Sequence, residues 1–104
     1  MSDLDVLRAA ADRLDALAAR TTPGDWRITG LLASRPEVVA HRADGSTEHV
    51  AEARAASAAW ITALSPAVAG PLASWLRAEA GVSSPSLHAA ALARVLLARL
   101  PLSP

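Results

Sequence analysis

The sequence predicts a small α+β protein: an N-terminal helix, a three-stranded antiparallel meander, and three C-terminal helices packed on one face of the sheet. Apolar residues recur at helical spacing near both ends of the chain, whereas they alternate with polar residues in between. The pair Pro23-Gly24 divides the first pattern from the second, because proline removes a backbone donor and glycine adopts positive φ. The pair Asp44-Gly45 then marks a tight hairpin inside the alternating region.

Length and composition predict one soluble domain, residues 1–104. The formal net charge is zero, whereas a nucleic-acid-binding domain needs a basic patch, so we expect no nucleic-acid partner. The N-terminus is acidic where a secretion signal would be basic, and we expect no apolar run of the roughly 18 residues that a membrane span needs. Cysteine is absent, which excludes disulfides and thiolate chemistry. A cytoplasmic protein without a membrane partner is therefore expected.

The first helix is predicted over residues 2–20. Ser2 is the expected N-cap, with Asp5 three residues later as its capping-box partner. Arg8 and Asp12 lie four residues apart on the polar face and can form an ion pair across one turn. The opposite face carries leucine and alanine at intervals of three and four residues, which suits either the core or a helix–helix seam between two chains.

Three strands are predicted from alternating apolar and polar residues, over residues 26–29, 37–42 and 47–51. We expect Asp44-Gly45 to be a two-residue turn, which fixes the register of the second strand against the third. That register pairs Val39 with Val50, Ala40 with His49 and His41 with Glu48. His41 and His49 then lie on opposite faces of the hairpin and cannot share a metal ion.

Three helices are predicted after residue 52, over about 52–64, 66–80 and 85–100. Ser65-Pro66 and Ser84-Pro85 each read as an N-cap followed by proline in the first turn. Pro71 predicts a kink or a late start in the middle helix, and Gly81 its end. Because the chain has no Phe or Tyr, we expect Trp60 and Trp75 to be largely buried in the core.

The last helix is apolar on more than one side, which predicts self-association. A small sheet and two other helices cover only one side of it, and soluble monomers rarely leave a large apolar patch in water. A symmetric dimer is the simplest closed arrangement. The expected interface residues are Leu92, Val95, Leu96, Leu97 and Leu100.

No arrangement of residues points to catalysis, and we expect neither an enzyme nor a cofactor. Histidines at metal-ligand spacing are absent, so no metal site is predicted. The β region does carry four arginines and a histidine: Arg27, Arg35, Arg42, Arg54 and His41. Acidic residues are interleaved with them, which favours local ion pairs. The alternative is a shallow anion-binding face for a nucleotide or a phosphorylated metabolite.

Several short motifs together resemble a known group of proteins. They are Thr21-Thr22-Pro23-Gly24-Asp25-Trp26, Val50-Ala51-Glu52, Ala58-Ala59-Trp60-Ile61, Leu72-Ala73-Ser74-Trp75-Leu76 and His88-Ala89-Ala90-Ala91-Leu92-Ala93-Arg94. In this order they resemble small phage and prophage proteins of actinobacteria, similar to the Ead-like early proteins of temperate phages. The resemblance implies a phage accessory protein of unsettled biochemical role. Our own expectation is that the protein acts through protein contacts, as a homo-oligomer or with a host protein. The resemblance implies no catalytic residues.

Overall fold

The computed structural model describes residues 1–30 and 35–102, and it confirms the predicted α+β class and element order. The elements are α1 (Asp3–Ala18), β1 (Asp25–Thr29), β2 (Glu37–His41), β3 (Thr47–Glu52), α2 (Ala55–Ala63), a 3-10 turn (Pro66–Val68), α3 (Ala69–Ala80) and α4 (Leu87–Arg99). The chain divides into two compact units. The helical unit comprises Met1–Arg20 and Val68–Pro104, and the sheet unit comprises Thr21–Ala67.

The helical unit consists of α1 with α3 and α4, both of which pack against it. Its core is built largely from alanine, with Leu7 and Leu76 as the largest fully buried side chains. Small side chains on facing helices let the backbones approach closely, so little bulk is needed to exclude water. Partly buried leucines close the rim of this core: Leu4, Leu14, Leu72, Leu96 and Leu97.

Caps and ion pairs hold α1 in this unit. Ser2 is its N-cap, and the Ser2 hydroxyl accepts a hydrogen bond from the Asp5 amide at 3.1 Å, as predicted. The predicted pair between Arg8 and Asp12 is wrong, because Asp12 binds Arg77 of α3 at 3.0 Å. Asp15 binds the same guanidinium at 2.7 Å, and the two hydrogen bonds raise the pKa of Arg77. Helix–helix contact therefore replaces the expected pairing along one helix.

The starts of α3 and α4 differ from the sequence prediction in detail. The predicted late start of α3 is confirmed, since a 3-10 turn precedes Ala69 and Pro71 stands in the first turn, where backbone N–H groups have no helical acceptor. Gly81 ends α3 with φ −88°, so the end does not use the left-handed conformation. The N-cap of α4 is Ser86 and not Ser84; its hydroxyl accepts hydrogen bonds from the amides of His88 and Ala89.

The sheet unit is an antiparallel meander of order β1-β2-β3, with α2 in contact with β1 and β2. The contact buries Val38 and Ala40 of β2 completely, and it does the same for Ala58 of α2. Trp26 pairs with Ala40 and lies on the same side of the sheet, half-buried. Of the three helices predicted to cover the sheet, α2 is the one within this unit; α3 and α4 pack on α1 in the helical unit.

The turn before β1 is shaped by one glycine. Gly24 has φ +119°, and a Cβ atom at this position would stand 2.8 Å from the His41 carbonyl oxygen. The indole N–H of Trp26 donates to the carbonyl oxygen of Thr22 at 2.9 Å, which closes the same turn. The predicted break at Pro23-Gly24 is therefore present.

The predicted register of the β2–β3 hairpin is wrong by one residue near the turn. The Arg42 amide donates to the Ser46 carbonyl and the Gly45 amide to the Arg42 carbonyl, so the loop has one residue more than predicted. A two-residue type I′ turn needs positive φ at both Asp44 and Gly45, and among the described residues only glycines have positive φ. His41 consequently pairs with Thr47, and Ala40 with Glu48.

An irregularity farther along the hairpin restores the expected pairing. Between Val38 and Val39 the register shifts, so Val38 pairs with Ala51 while Val39 pairs with His49. Val50 is the extra residue of this β-bulge. The bulge brings Ala51 opposite the buried Val38 although the turn has shifted the other end of β3 by one residue.

Candidate functional site

The four arginines of the predicted anion face do not converge on one site. Arg27 binds its neighbour Asp25 at 2.7 Å on β1. Arg42 pairs with Glu48, across the hairpin. The interleaved acidic residues thus form local ion pairs with these two arginines, as the sequence favoured. Exposed pairs of this kind contribute little to stability.

Arg35 and Arg54 do line one open depression of about 330 Å³, together with Glu52 and Ala53. Arg35 stands 3.7 Å from the Glu52 carboxylate, a loose contact. Arg54 precedes the first turn of α2, which contains no acidic residue and no side-chain cap. In the described part of the chain Arg54 forms no ion pair. An anion placed here would meet two guanidinium groups but also the Glu52 carboxylate.

His41, the remaining member of the predicted set, lies on the central strand between Asp25 and Thr47. Its Nε2 atom is buried without a hydrogen-bond partner. The predicted contact with Glu48 is wrong, because the register shift pairs Glu48 with Ala40 and brings its carboxylate to Arg42.

The same register shift overturns the prediction that His41 and His49 lie on opposite faces of the hairpin. His49 pairs with Val39, which stands two residues before His41 and therefore on its side of the sheet. His49 Nδ1 lies 3.2 Å from the Glu37 carboxylate. Among the residues that the structure describes, no group of three or more potential metal ligands is found.

The interface predicted on α4 is largely occupied by the helical unit itself. Leu96 and Leu97 pack against the core, and Leu92 and Leu100 are half-buried. Of the five residues only Val95 is exposed, at 56%. The apolar sides of this helix are thus mostly accounted for by packing within its own unit, against α1.

The largest exposed apolar side chain of the folded elements belongs to α2. Trp60 is 70% exposed and Leu64, one turn later, is 54% exposed. Ala58, two residues before Trp60 and therefore about 200° around the helix, is fully buried. We call the exposed surface on this side of the helix the Trp60 face; its residues are Ala56, Ser57, Trp60, Ala63 and Leu64.

Both tryptophans that were expected in the core are exposed, and that prediction is wrong. Trp75 is 42% exposed on α3, and the fully buried residues around it are alanines and Leu76. The size of a side chain did not decide its burial, because helices faced with alanine pack closely enough to form the core without the Trp60 and Trp75 rings. On α2 the pattern also gave no direction, since the helix has no charged residue to mark its solvent side.

One stretch of the described chain, Ala55–Ala80, is long and apolar enough to cross a membrane by length and composition. The expectation that no run reaches this length was therefore wrong, since residues 55–76 contain no charged side chain. The stretch is interrupted by the 3-10 turn, and its α3 part packs against α1. A single helix of this kind is weak support for a span.

Comparisons with known proteins add no family to this description. No protein-family model, no curated protein and no solved structure matches the chain.

Proposed function

We propose that this protein is a non-enzymatic accessory protein that acts through protein–protein contacts and self-associates. The observation that carries the proposal is the Trp60 face, where Trp60 is 70% exposed on a helix without charged residues and the exposed Leu64 follows at the end of that helix. Aromatic side chains of this kind supply much of the binding energy at protein interfaces. The resemblance to actinobacterial phage and prophage proteins supports a phage-type role in the cytoplasm.

Self-association is the first contact to test, since it needs no knowledge of a host protein. Light scattering of the purified chain, from low micromolar to millimolar concentration, should show the mass rising from near 10.7 kDa toward twice that value. A mass that stays at 10.7 kDa at every concentration would rule out the homo-oligomer. Affinity capture from a host lysate would then be the route to a heterologous partner.

A second candidate function is binding of a nucleotide or phosphorylated metabolite at the depression between Arg35 and Arg54. The support is the pair of guanidinium groups beside a helix start that no acidic side chain caps. Titration with inorganic phosphate and with ATP, followed by calorimetry, is the test. Binding that Arg54→Ala removes and Arg27→Ala retains is the expected result for this site. Equal loss in both variants would point to general charge.

A further inference from the structure

We propose that His41 makes the sheet unit sensitive to mild acid, so that uptake of a proton by its imidazole destabilises the end of the sheet formed by Asp25, His41 and Thr47. The observation that carries this inference is the buried Nε2 atom of His41, which has no hydrogen-bond partner. The acid response is independent of the self-association proposed above, and either can fail without the other.

The backbone of His41 is held on both edges. His41 is the last residue of the central strand, and it pairs with Asp25 of β1 and with Thr47 of β3. The turn before β1 stands so close that a Cβ atom at Gly24 would lie 2.8 Å from the His41 carbonyl oxygen. A new partner for Nε2 must therefore come from rotation of the side chain or from opening of this end of the sheet.

Protonation changes what the ring requires. Neutral imidazole has one donor nitrogen and one acceptor nitrogen, whereas both nitrogens of imidazolium are donors. A buried donor without an acceptor is unfavourable, and burial of a charge is more unfavourable still. Because Nε2 has no partner in its site, the fold accommodates the neutral ring of His41 better than the charged ring.

The charges of β1 do not offset this cost. Asp25 is the acidic residue opposite His41, on the same side of the sheet. Its carboxylate is bound by the Arg27 guanidinium at 2.7 Å, and Arg27 brings a positive charge to this side as well. The turn from Thr21 to Gly24 and the helix α2, which contact the sheet here and on its other side, carry no charged side chain.

The acidic groups of β2 and β3 are also engaged elsewhere. Glu37, on the same strand and side as His41, lies 3.2 Å from Nδ1 of His49. Glu48 lies on the opposite side of the sheet, where it pairs with Arg42. In the described part of the chain, no ion pair includes His41. A proton on His41 thus gains no carboxylate partner.

The direction of the pH effect follows from proton binding. In the unfolded chain the His41 ring is in water, so the unfolded state binds more protons in mild acid than the folded state does. The free energy of unfolding then rises with pH and is lost as pH falls. Histidine is the side chain that ordinarily titrates between pH 5 and 8, so we expect the loss on going from about pH 7.5 to about pH 5.5.

Urea unfolding at these two pH values, followed by Trp emission, is the test. Replacing the two exposed tryptophans by Trp60→Phe and Trp75→Phe leaves Trp26 as the only fluorophore, one residue after the strand partner of His41. In this parent protein the unfolding midpoint should fall by about 1 M urea in mild acid, the effect of one buried unpaired group. Adding His41→Phe keeps a ring but removes the titrating nitrogens, so the midpoint should then change by less than about 0.2 M.

His49→Gln is the matched control, because His49 lies on the same side of the sheet but is exposed and has the Glu37 carboxylate as a partner. Its protonation strengthens that pair, so removing it cannot reduce the acid loss, and the fall of the parent should remain. His41→Gln takes the place of His41→Phe if the phenyl ring prevents folding, and its midpoint should likewise be nearly independent of pH.

Three results would overturn the role of His41. The parent midpoint does not fall in mild acid, the fall persists in the His41 variant, or His49→Gln abolishes the fall. All measurements are made at a concentration where light scattering shows a monomer, so the outcome does not depend on self-association.

Discussion

The helical unit and the sheet unit use their apolar residues in opposite ways. In the helical unit α1 is in contact with two helices, and alanines on the facing surfaces disappear from solvent. In the sheet unit α2 buries one alanine and leaves the tryptophan of the same helix in water. Burial therefore follows the side on which a helix is packed and not the size or hydrophobicity of the side chain. An apolar helix that packs on one side, against the sheet, retains an exposed side.

The largest contrast should appear when the same substitution is made in both units. Leu76→Ala removes a fully buried side chain of the helical core and should lower the free energy of unfolding by about 2–5 kcal/mol. Leu64→Ala, on the Trp60 face, should change it by less than about 1 kcal/mol. Urea unfolding followed by circular dichroism, at a concentration where the chain is monomeric, measures both. Similar losses of unfolding free energy in Leu76→Ala and Leu64→Ala would contradict the difference between the two units.

Two glycines of the sheet unit should give the next largest effect, because both have positive φ but only Gly24 has a close neighbour. Gly24→Ala should cost about 2–4 kcal/mol, since its positive φ is combined with a clash against the His41 carbonyl oxygen. Gly45→Ala should cost about 1 kcal/mol, because the positive φ remains but the space around it is open. Thermal unfolding of the two variants side by side gives the difference. A smaller loss for Gly24→Ala would mean that the turn opens readily.

Trp60→Ala sharpens the comparison directly. A buried Trp would cost about 3–5 kcal/mol on truncation, whereas an exposed residue should change the monomer's stability by about 0.5 kcal/mol or less. Trp75→Ala should lie between these values, because Trp75 is less exposed than Trp60. Denaturant unfolding at low protein concentration is the measurement. A loss above about 3 kcal/mol for Trp60→Ala would place the ring in a core.

The smallest expected effect concerns the hairpin turn and its dependence on pH. Hydrogen bonds from the hydroxyl and the amide of Ser46 hold the pKa of Asp44 below its ordinary value. A carboxylate whose folded-state pKa is depressed stabilises the fold above its unfolded pKa, and this contribution is lost as pH falls through the folded value. Asp44→Asn should therefore be slightly less stable than wild type at pH 7. The two proteins should be equally stable at a pH low enough to protonate Asp44 in both the folded and the unfolded protein. A difference that persists unchanged in acid would assign the effect to something other than this charge.

The sequence by itself determined the features that depend on residues close together in the chain. The α+β class and the order of the elements were predicted correctly, as were the Ser2 cap, the break at Pro23-Gly24 and the late start of α3. Each depends on groups within about four residues, where capping, proline geometry and periodicity act without help from the rest of the fold. The hairpin was located correctly for the same reason.

The tertiary structure decided which side of each element is buried and which charges meet. The register of β3 depended on a turn conformation and a bulge, and these also set the positions of His41 and Glu48. The guanidinium that binds Asp12 comes from a different helix, far away in the chain. The exposure of Trp60, on which the candidate site depends, was fixed by the side on which α2 meets the sheet. A helix without charged residues gives little signal for that choice, because no side of it is marked for solvent and the packing partner decides.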